Sequence, residues 1–241
     1  MSSLYLQELT KLLAKVEAHE QQAMESAAEK ISQQLASHHL IHLFGCGHSH
    51  ILTEEVFYRS GGLAPIHPIF VEELMLHKGA SRSSQLERKN DYASTFMEKE
   101  DIVPGDIMIV ISTSGVNPVP IDVALIAKEK GAFVIGLTSP SYATSRASRH
   151  KSGKYLHDVV DLVINNHIPK GDVLLHQQDI SFASGSTVIG GAILNDILSR
   201  TIQKLLSRGI TPPVFLSGNM EGSDEHNQRL IDAYKGRITA L

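Results

Sequence analysis

Leu40-Ile41-His42-Leu43-Phe44-Gly45-Cys46-Gly47-His48-Ser49 is the stretch that decides the fold. A short apolar run breaks into Gly-x-Gly-x-Ser and then opens an amphipathic stretch from Ile51 to Arg59. A buried strand, a glycine turn and a helix start leave several backbone N–H groups without intrahelical partners. With the positive end of the helix dipole, such groups suit an anionic or polyhydroxyl ligand.

Working outward, four more apolar runs read as strands: Ile66–Val71, Ile107–Ser112, Phe133–Thr138 and Val159–Asn165. Helical patterns lie between and after them, at His50–Ser60, near Ser84–Glu98, at Val119–Lys130, at Thr187–Ser207 and at Asp224–Gly236. Gly131 and Gly209 each follow a basic residue near a helix end, as a C-terminal stop should. Strands alternating with helices predict a parallel sheet covered on both faces. Residues 4 to about 37 carry a narrow apolar stripe (Leu9, Leu13, Val16, Met24, Ile31, Leu35) suited to clamping the sheet or a partner subunit. The expected organisation is a helical extension over 1–38 and one α/β domain over 39–241. The polar segment Leu76–Glu100 reads either as a mobile insertion over a site or as a solvated helix.

Composition narrows the function. Among 241 residues, 42% are hydrophobic and 20% charged, and the net charge is −4. That balance, with no Lys/Arg cluster along the sequence, argues against a nucleic-acid or anionic-membrane surface. The single cysteine, Cys46, excludes an internal disulfide and suits a reducing compartment. No apolar run approaches the roughly 20 residues needed to cross a bilayer, and no leader pattern opens the chain. A cytoplasmic location is expected.

A second strand-to-loop unit follows near residue 107. Asp106-Ile107-Met108-Ile109-Val110-Ile111 runs into Ser112-Thr113-Ser114-Gly115-Val116-Asn117-Pro118, and a helix begins at Val119. Hydroxyls and backbone amides together can hold a dianion without a fixed counter-charge; the same residues could serve as ordinary turn and cap residues. Two such loops at the carboxyl ends of two strands favour a ligand site, because ligands of open α/β sheets bind there. Neither loop is a dinucleotide fingerprint, since His50 stands where the third glycine would be needed. No Gly-Lys-Ser/Thr is present either. A small phosphorylated metabolite fits better than a nucleotide.

Phe44-Gly45-Cys46-Gly47-His48-Ser49, taken with Ile111-Ser112-Thr113-Ser114-Gly115, resembles the sugar isomerase (SIS) domain. The likeness covers about residues 35–210. Within that superfamily the chain resembles phosphoheptose isomerases and N-acetylmuramic acid 6-phosphate etherases, and most of all a bacterial group of stand-alone SIS proteins. The resemblance implies a flavodoxin-like, three-layer sandwich with a five-stranded parallel sheet ordered 2-1-3-4-5. It also implies a phosphosugar ligand, and sites near a subunit interface in a homodimer or larger assembly. Ser112, Ser114 and the backbone at Gly115 would hold the phosphate, and Gly47 and Ser49 would meet the sugar. Asn117 stands where the family often has Thr. By likeness to the etherases, Ser186 and Thr187, at the start of the long late helix, would line the pocket. That helix lacks the metal-binding histidine of a phosphoheptose isomerase.

Proton abstraction next to a carbonyl needs a carboxylate or histidine within hydrogen-bond reach. Glu55 is a candidate base, set against a plain ion pair with Arg59. Glu73, after the second strand, is the other candidate base, slightly ahead of Glu72. His48 can hydrogen-bond the ligand alongside Thr113. His226, in the polar stretch Ser217–Asn227, could open a sugar ring or shuttle a proton in a neighbour's site. No metal and no cofactor are expected. The function this adds up to is an isomerase or lyase acting on a sugar phosphate, with a non-catalytic phosphosugar sensor as the alternative.

Overall fold

The computed structural model describes residues 3–241. Helix α1 (Leu4–Ala36) is one unbroken helix of 33 residues. Strand β1 (Ile41–Gly45) follows, then helix α2 (Ile51–Val56) and strand β2 (Ile66–Pro68). Short helices α3 (Ala80–Glu87) and α4 (Ser94–Met97) lead to β3 (Ile107–Ile111), α5 (Pro118–Glu129) and β4 (Phe133–Thr138). After α6 (Leu156–Val159) and β5 (Leu162–Asn165) comes a hairpin of β6 (Leu175–Gln177) and β7 (Ile180–Phe182). The chain closes with α7 (Ser186–Ser207) and α8 (Ser223–Tyr234).

The five main strands are all parallel and ordered β2-β1-β3-β4-β5, as expected. Alternation along the strands sorts the core into two layers. Ile41 and Leu43 of β1 and Ile107, Ile109 and Ile111 of β3 face α1, α2 and α7. Phe44, Cys46, Met108, Val110 and Val134 face α4, α5 and α6. Because successive side chains point to opposite faces, both faces of β1, β3 and β4 must be apolar. Helix α1 packs along α7, where Leu9, Val16, Met24 and Ile31 share one cluster with Ile189, Ile193, Ile197 and Leu205.

Several element bounds differ from the sequence reading for local reasons. The fifth strand starts at Leu162 rather than Val159, because the Asp158 carboxylate accepts from Tyr155 N–H at 2.8 Å in a capping box that winds Leu156–Val159 into a helical turn. The helix after β1 ends at Val56, since Phe57 is extended and Tyr58 adopts φ +46°. Leu76–Glu100 is folded, as α3 and α4 with connecting turns. Leu86, Tyr92, Phe96 and Met97 pack it onto the layer that contains Phe44 and Cys46. The β6–β7 hairpin was not anticipated; its turn is Gln178-Asp179, which lacks the Asn-Gly or Asp-Gly signature.

At the end of the sheet away from the strand carboxyl termini lies a buried polar network. Asp106 has no exposed surface. Its carboxylate accepts from Leu40 N–H (2.9 Å), Val103 N–H (3.0 Å), His42 Nε2–H (3.0 Å) and Arg237 Nη2 (2.7 Å). These four donors hold its pKa well below the usual carboxylate range despite its burial. His67 stands edge-on to His42 and donates to Glu100 at 2.8 Å. This network accounts for three histidines, His39, His42 and His67, each beside a carboxylate.

Candidate functional site

Gly45 pairs with Ile111 at the carboxyl ends of β1 and β3. The connections from β1 and β3 leave in opposite directions, toward β2 and β4, so the two loops open a crevice at the switch point of the sheet. One wall is the turn Gly47–His50. His50 Nδ1–H donates to Gly47 O at 2.5 Å, and Thr53 Oγ1 donates to His50 O at 2.6 Å, which fixes the turn on α2. A Cβ on Gly45 would lie 2.6 Å from the Ser49 carbonyl carbon and oxygen, so only glycine lets the turn fold back this closely.

The other wall is Ser112–Asn117. Gly115 has φ +61°, and a Cβ there would meet Thr138 Oγ1 at 2.8 Å. Gly115 N–H donates weakly to Ser112 Oγ at 3.3 Å, and Asn166 Nδ2 donates to Thr113 Oγ1 at 3.2 Å. Among the described residues the hydroxyls of Ser49 and Ser114 have no partner, and neither do the N–H groups of Thr113, Ser114 and Val116. Helix α5 itself offers little: Pro118 and Pro120 have no N–H, so of its first three residues only Val119 can donate. The donor set is therefore the loop's hydroxyls and amides rather than the helix end.

The sequence-derived residues divide into two groups. Gly47, Ser49, Ser112, Thr113, Ser114, Gly115 and Asn117 come together on the two walls, with His48 exposed on the turn. The others are engaged elsewhere. Glu55 pairs with Arg59 at 2.6 Å and Glu73 with Arg82 at 2.6 Å, all four side chains substantially exposed. His226 Nε2–H donates to Val214 O at 2.9 Å, and Asn227 bonds Leu216 twice, so this stretch straps the C-terminal segment. A cavity of about 450 Å³ between Tyr58, Phe215 and α8 lies beside that strap. Ser186 Oγ donates to Asp172 Oδ2 at 2.6 Å, and Asp172 Oδ1 accepts from Gly185 and Ser186 N–H at 3.0 Å each. A carboxylate of the chain itself thus caps α7, and Thr187 is half-buried next to it.

Two residues that the sequence reading did not single out stand at the crevice. Glu87 ends α3, which packs against both the Gly47–His50 turn and α5. Burial raises the Glu87 pKa, opposed by a hydrogen bond with Asn117 and by the charges of Arg88 and Arg149. Its charge is felt at Cys46, whose thiol burial pushes well above the ordinary range. Arg149 Nη1 donates to Asn117 Oδ1 at 2.5 Å, and its backbone N–H to Val116 O at 2.9 Å. Glu87 and Arg149 are far in sequence from both loops, and no local pattern marks them. Among the described residues no three His, Cys, Asp or Glu side chains gather as a metal-binding group, and no helix is long and apolar enough to cross a membrane.

The SIS domain matches residues 4–139. A UPF0309 protein of Geobacillus kaustophilus is 55% identical over 243 residues, covering 100% of this chain and 97% of its own length. A UPF0309 protein of Listeria innocua is 56% identical over 239 residues, covering 98% and 97%. The phosphoheptose isomerase of Neisseria gonorrhoeae shares the fold, with a TM-score of 0.51 and 17% identity over 84% of this chain and 95% of that one. The chain belongs to the SIS domain family, among its UPF0309 proteins.

Proposed function

We propose that the crevice between the β1 and β3 loops binds a phosphorylated sugar and that the chain moves a proton next to the sugar's carbonyl, as an isomerase or a lyase. The observation that carries this is the side-by-side exit of two loops in which the Ser49 and Ser114 hydroxyls and the Thr113, Ser114 and Val116 amides have no partner among the described residues. A phosphate oxygen accepts such hydrogen bonds, and charge-assisted ones are roughly twice as strong as neutral ones. The SIS membership and the fold shared with a phosphoheptose isomerase support the same reading.

Within it, Glu87 is the base. Glu55 and Glu73 are each tied to an exposed arginine, whereas Glu87 is half-buried beside Asn117 and Cys46. A carboxylate raised in pKa is a better proton acceptor near neutral pH. It would take the proton from the carbon next to the carbonyl, leaving an enediolate. Returning that proton to the adjacent carbon, while the hydroxyl proton passes from one oxygen to the other, completes an aldose–ketose exchange; expelling a group β to the carbonyl completes an elimination. In a homo-oligomer, the strap bearing His226 is the segment suited to approach a neighbour's crevice.

The test is a thermal-shift screen of hexose, heptose and amino-sugar phosphates, since a ligand that binds only the folded state raises the melting temperature. The best binder is then followed by NMR. Stabilisation by a sugar phosphate with conversion supports the enzyme. Stabilisation without conversion would make the chain a phosphosugar sensor, and no stabilisation by any of them would remove the reading.

A further inference from the structure

Among the described residues, five of the nine arginines lie within ion-pair distance of a carboxylate: Arg59, Arg82, Arg200, Arg208 and Arg237. Of the four that do not, three come together in one place. Arg88 and Arg146 both act electrostatically on Arg149, and each raises the cost of its charge. They arrive from separate parts of the chain: Arg88 caps the end of α3, and Arg146 and Arg149 lie on the segment between β4 and α6.

Their supports are specific. Tyr155 Oη donates to Arg146 O at 2.9 Å, while Leu156 N–H, one residue on, donates to Gly115 O at 2.9 Å. The segment bearing Arg146 and Arg149 is therefore pinned to the phosphate-type loop at Gly115, at Val116 and, through the Arg149 guanidinium, at Asn117. Glu87 acts on Arg88 and Arg149 through its charge, but among the described residues it forms no ion pair within 4.0 Å with any of the three. At Arg149 the repulsion from Arg146 and Arg88 outweighs the attraction of Glu87, in a chain whose net charge is −4. An anion placed among them would remove that repulsion, and guanidinium forks suit phosphate and carboxylate geometry.

We infer that Arg88, Arg146 and Arg149 form a second anion subsite beside the Ser112–Asn117 loop, so that the ligand is a sugar phosphate carrying a further acidic group, either a carboxylate or a second phosphate. This rests on the phosphosugar reading above and narrows it. The loop donors hold one phosphate, and the arginines select for the extra negative charge.

The experiment is calorimetric titration at 150 mM salt with three probes: fructose 6-phosphate, fructose 1,6-bisphosphate and 6-phosphogluconate. The expected result is at least tenfold tighter binding of one or both doubly acidic probes than of fructose 6-phosphate, and which one it is distinguishes phosphate from carboxylate. In the R88Q/R146Q double variant, both positions being exposed, that ratio should fall to near one. The single reversal Arg146→Glu should take it below one. Ser112→Ala/Ser114→Ala should instead weaken all probes together. Equal affinity for all three probes in the unaltered protein, or a ratio that survives in the arginine variants, overturns the subsite and leaves the phosphosugar reading standing. Failure of all three probes to bind overturns both.

Discussion

Arg237 Nη2 lies 2.7 Å from Asp106 Oδ2, and Arg237 Nε lies 2.8 Å from Asp101 Oδ2. The last turn of the chain is thereby latched to the start of β3. Asp106 is fully buried, so losing this guanidinium leaves a carboxylate short of its main counter-charge. Arg237→Met should cost about 3 kcal/mol, the lower end of what breaking one side of a buried pair costs. Chemical denaturation reads this directly; an unchanged midpoint would mean the latch is incidental.

The same network sets an acid limit on stability. His42 Nδ1 is buried without a hydrogen-bond partner, so a second proton there would be unshared. Burial accordingly lowers the His42 pKa, opposed by its bond to Asp106 and reinforced by His67 and Arg237. Its folded pKa lies below the unfolded value of about 6.5, so its contribution is present above that value and declines as pH falls toward the folded pKa. Asp106, also depressed, contributes above its unfolded value of about 3.9 and loses that contribution as pH falls further. Stability should therefore fall in two stages on acidification. Thermal melts from pH 7 down to about pH 2, past the unfolded carboxylate value, check it, with His42→Gln expected to flatten the first stage.

Gly115→Ala should damage fold and site together. The left-handed conformation costs an L-residue roughly 1–2 kcal/mol, and the new methyl would sit 2.8 Å from Thr138 Oγ1. Melting temperature should drop, and sugar-phosphate affinity should fall by more than the tenfold that about 1.4 kcal/mol represents. A variant with full affinity would show that the loop's shape is not what holds the ligand.

Much of this was legible in the chain, and the failures share a cause. Strands β1, β3 and β4 are buried on both faces, so their apolar runs marked them with no tertiary information. The two loops were legible because each joins a strand to a helix within a few residues. Glu87 and Arg149 were not, because α3 and the segment before α6 reach the crevice only through the packing of Leu86 and the hydrogen bonds at Val116 and Asn117. Glu55, Glu73 and His226 stand near strand ends or glycine loops along the chain, yet their bonds run to Arg59, Arg82 and Val214. The capping of α7 by Asp172, fourteen residues before Ser186, was equally invisible locally.

Glu87→Gln should lower turnover by about 10²–10⁴-fold, the usual worth of a positioned acid–base group. The loss should fall on kcat more than on KM. In the unaltered enzyme, kcat/KM should decline on the acid side through a pKa above the ordinary glutamate value, since the base must be ionised and burial raises it. A flat acid limb, or a fully active Glu87→Gln, would move the base elsewhere.

The most direct measurement is a crystal structure with a bound hexose 6-phosphate. Phosphate oxygens should lie within hydrogen-bond distance of the Ser112 and Ser114 hydroxyls and of the Thr113, Ser114 and Val116 amides, with the sugar lying toward Ser49. A phosphate seated in the cavity beside Tyr58 and Phe215, or at the start of α7 in place of Asp172, would contradict it.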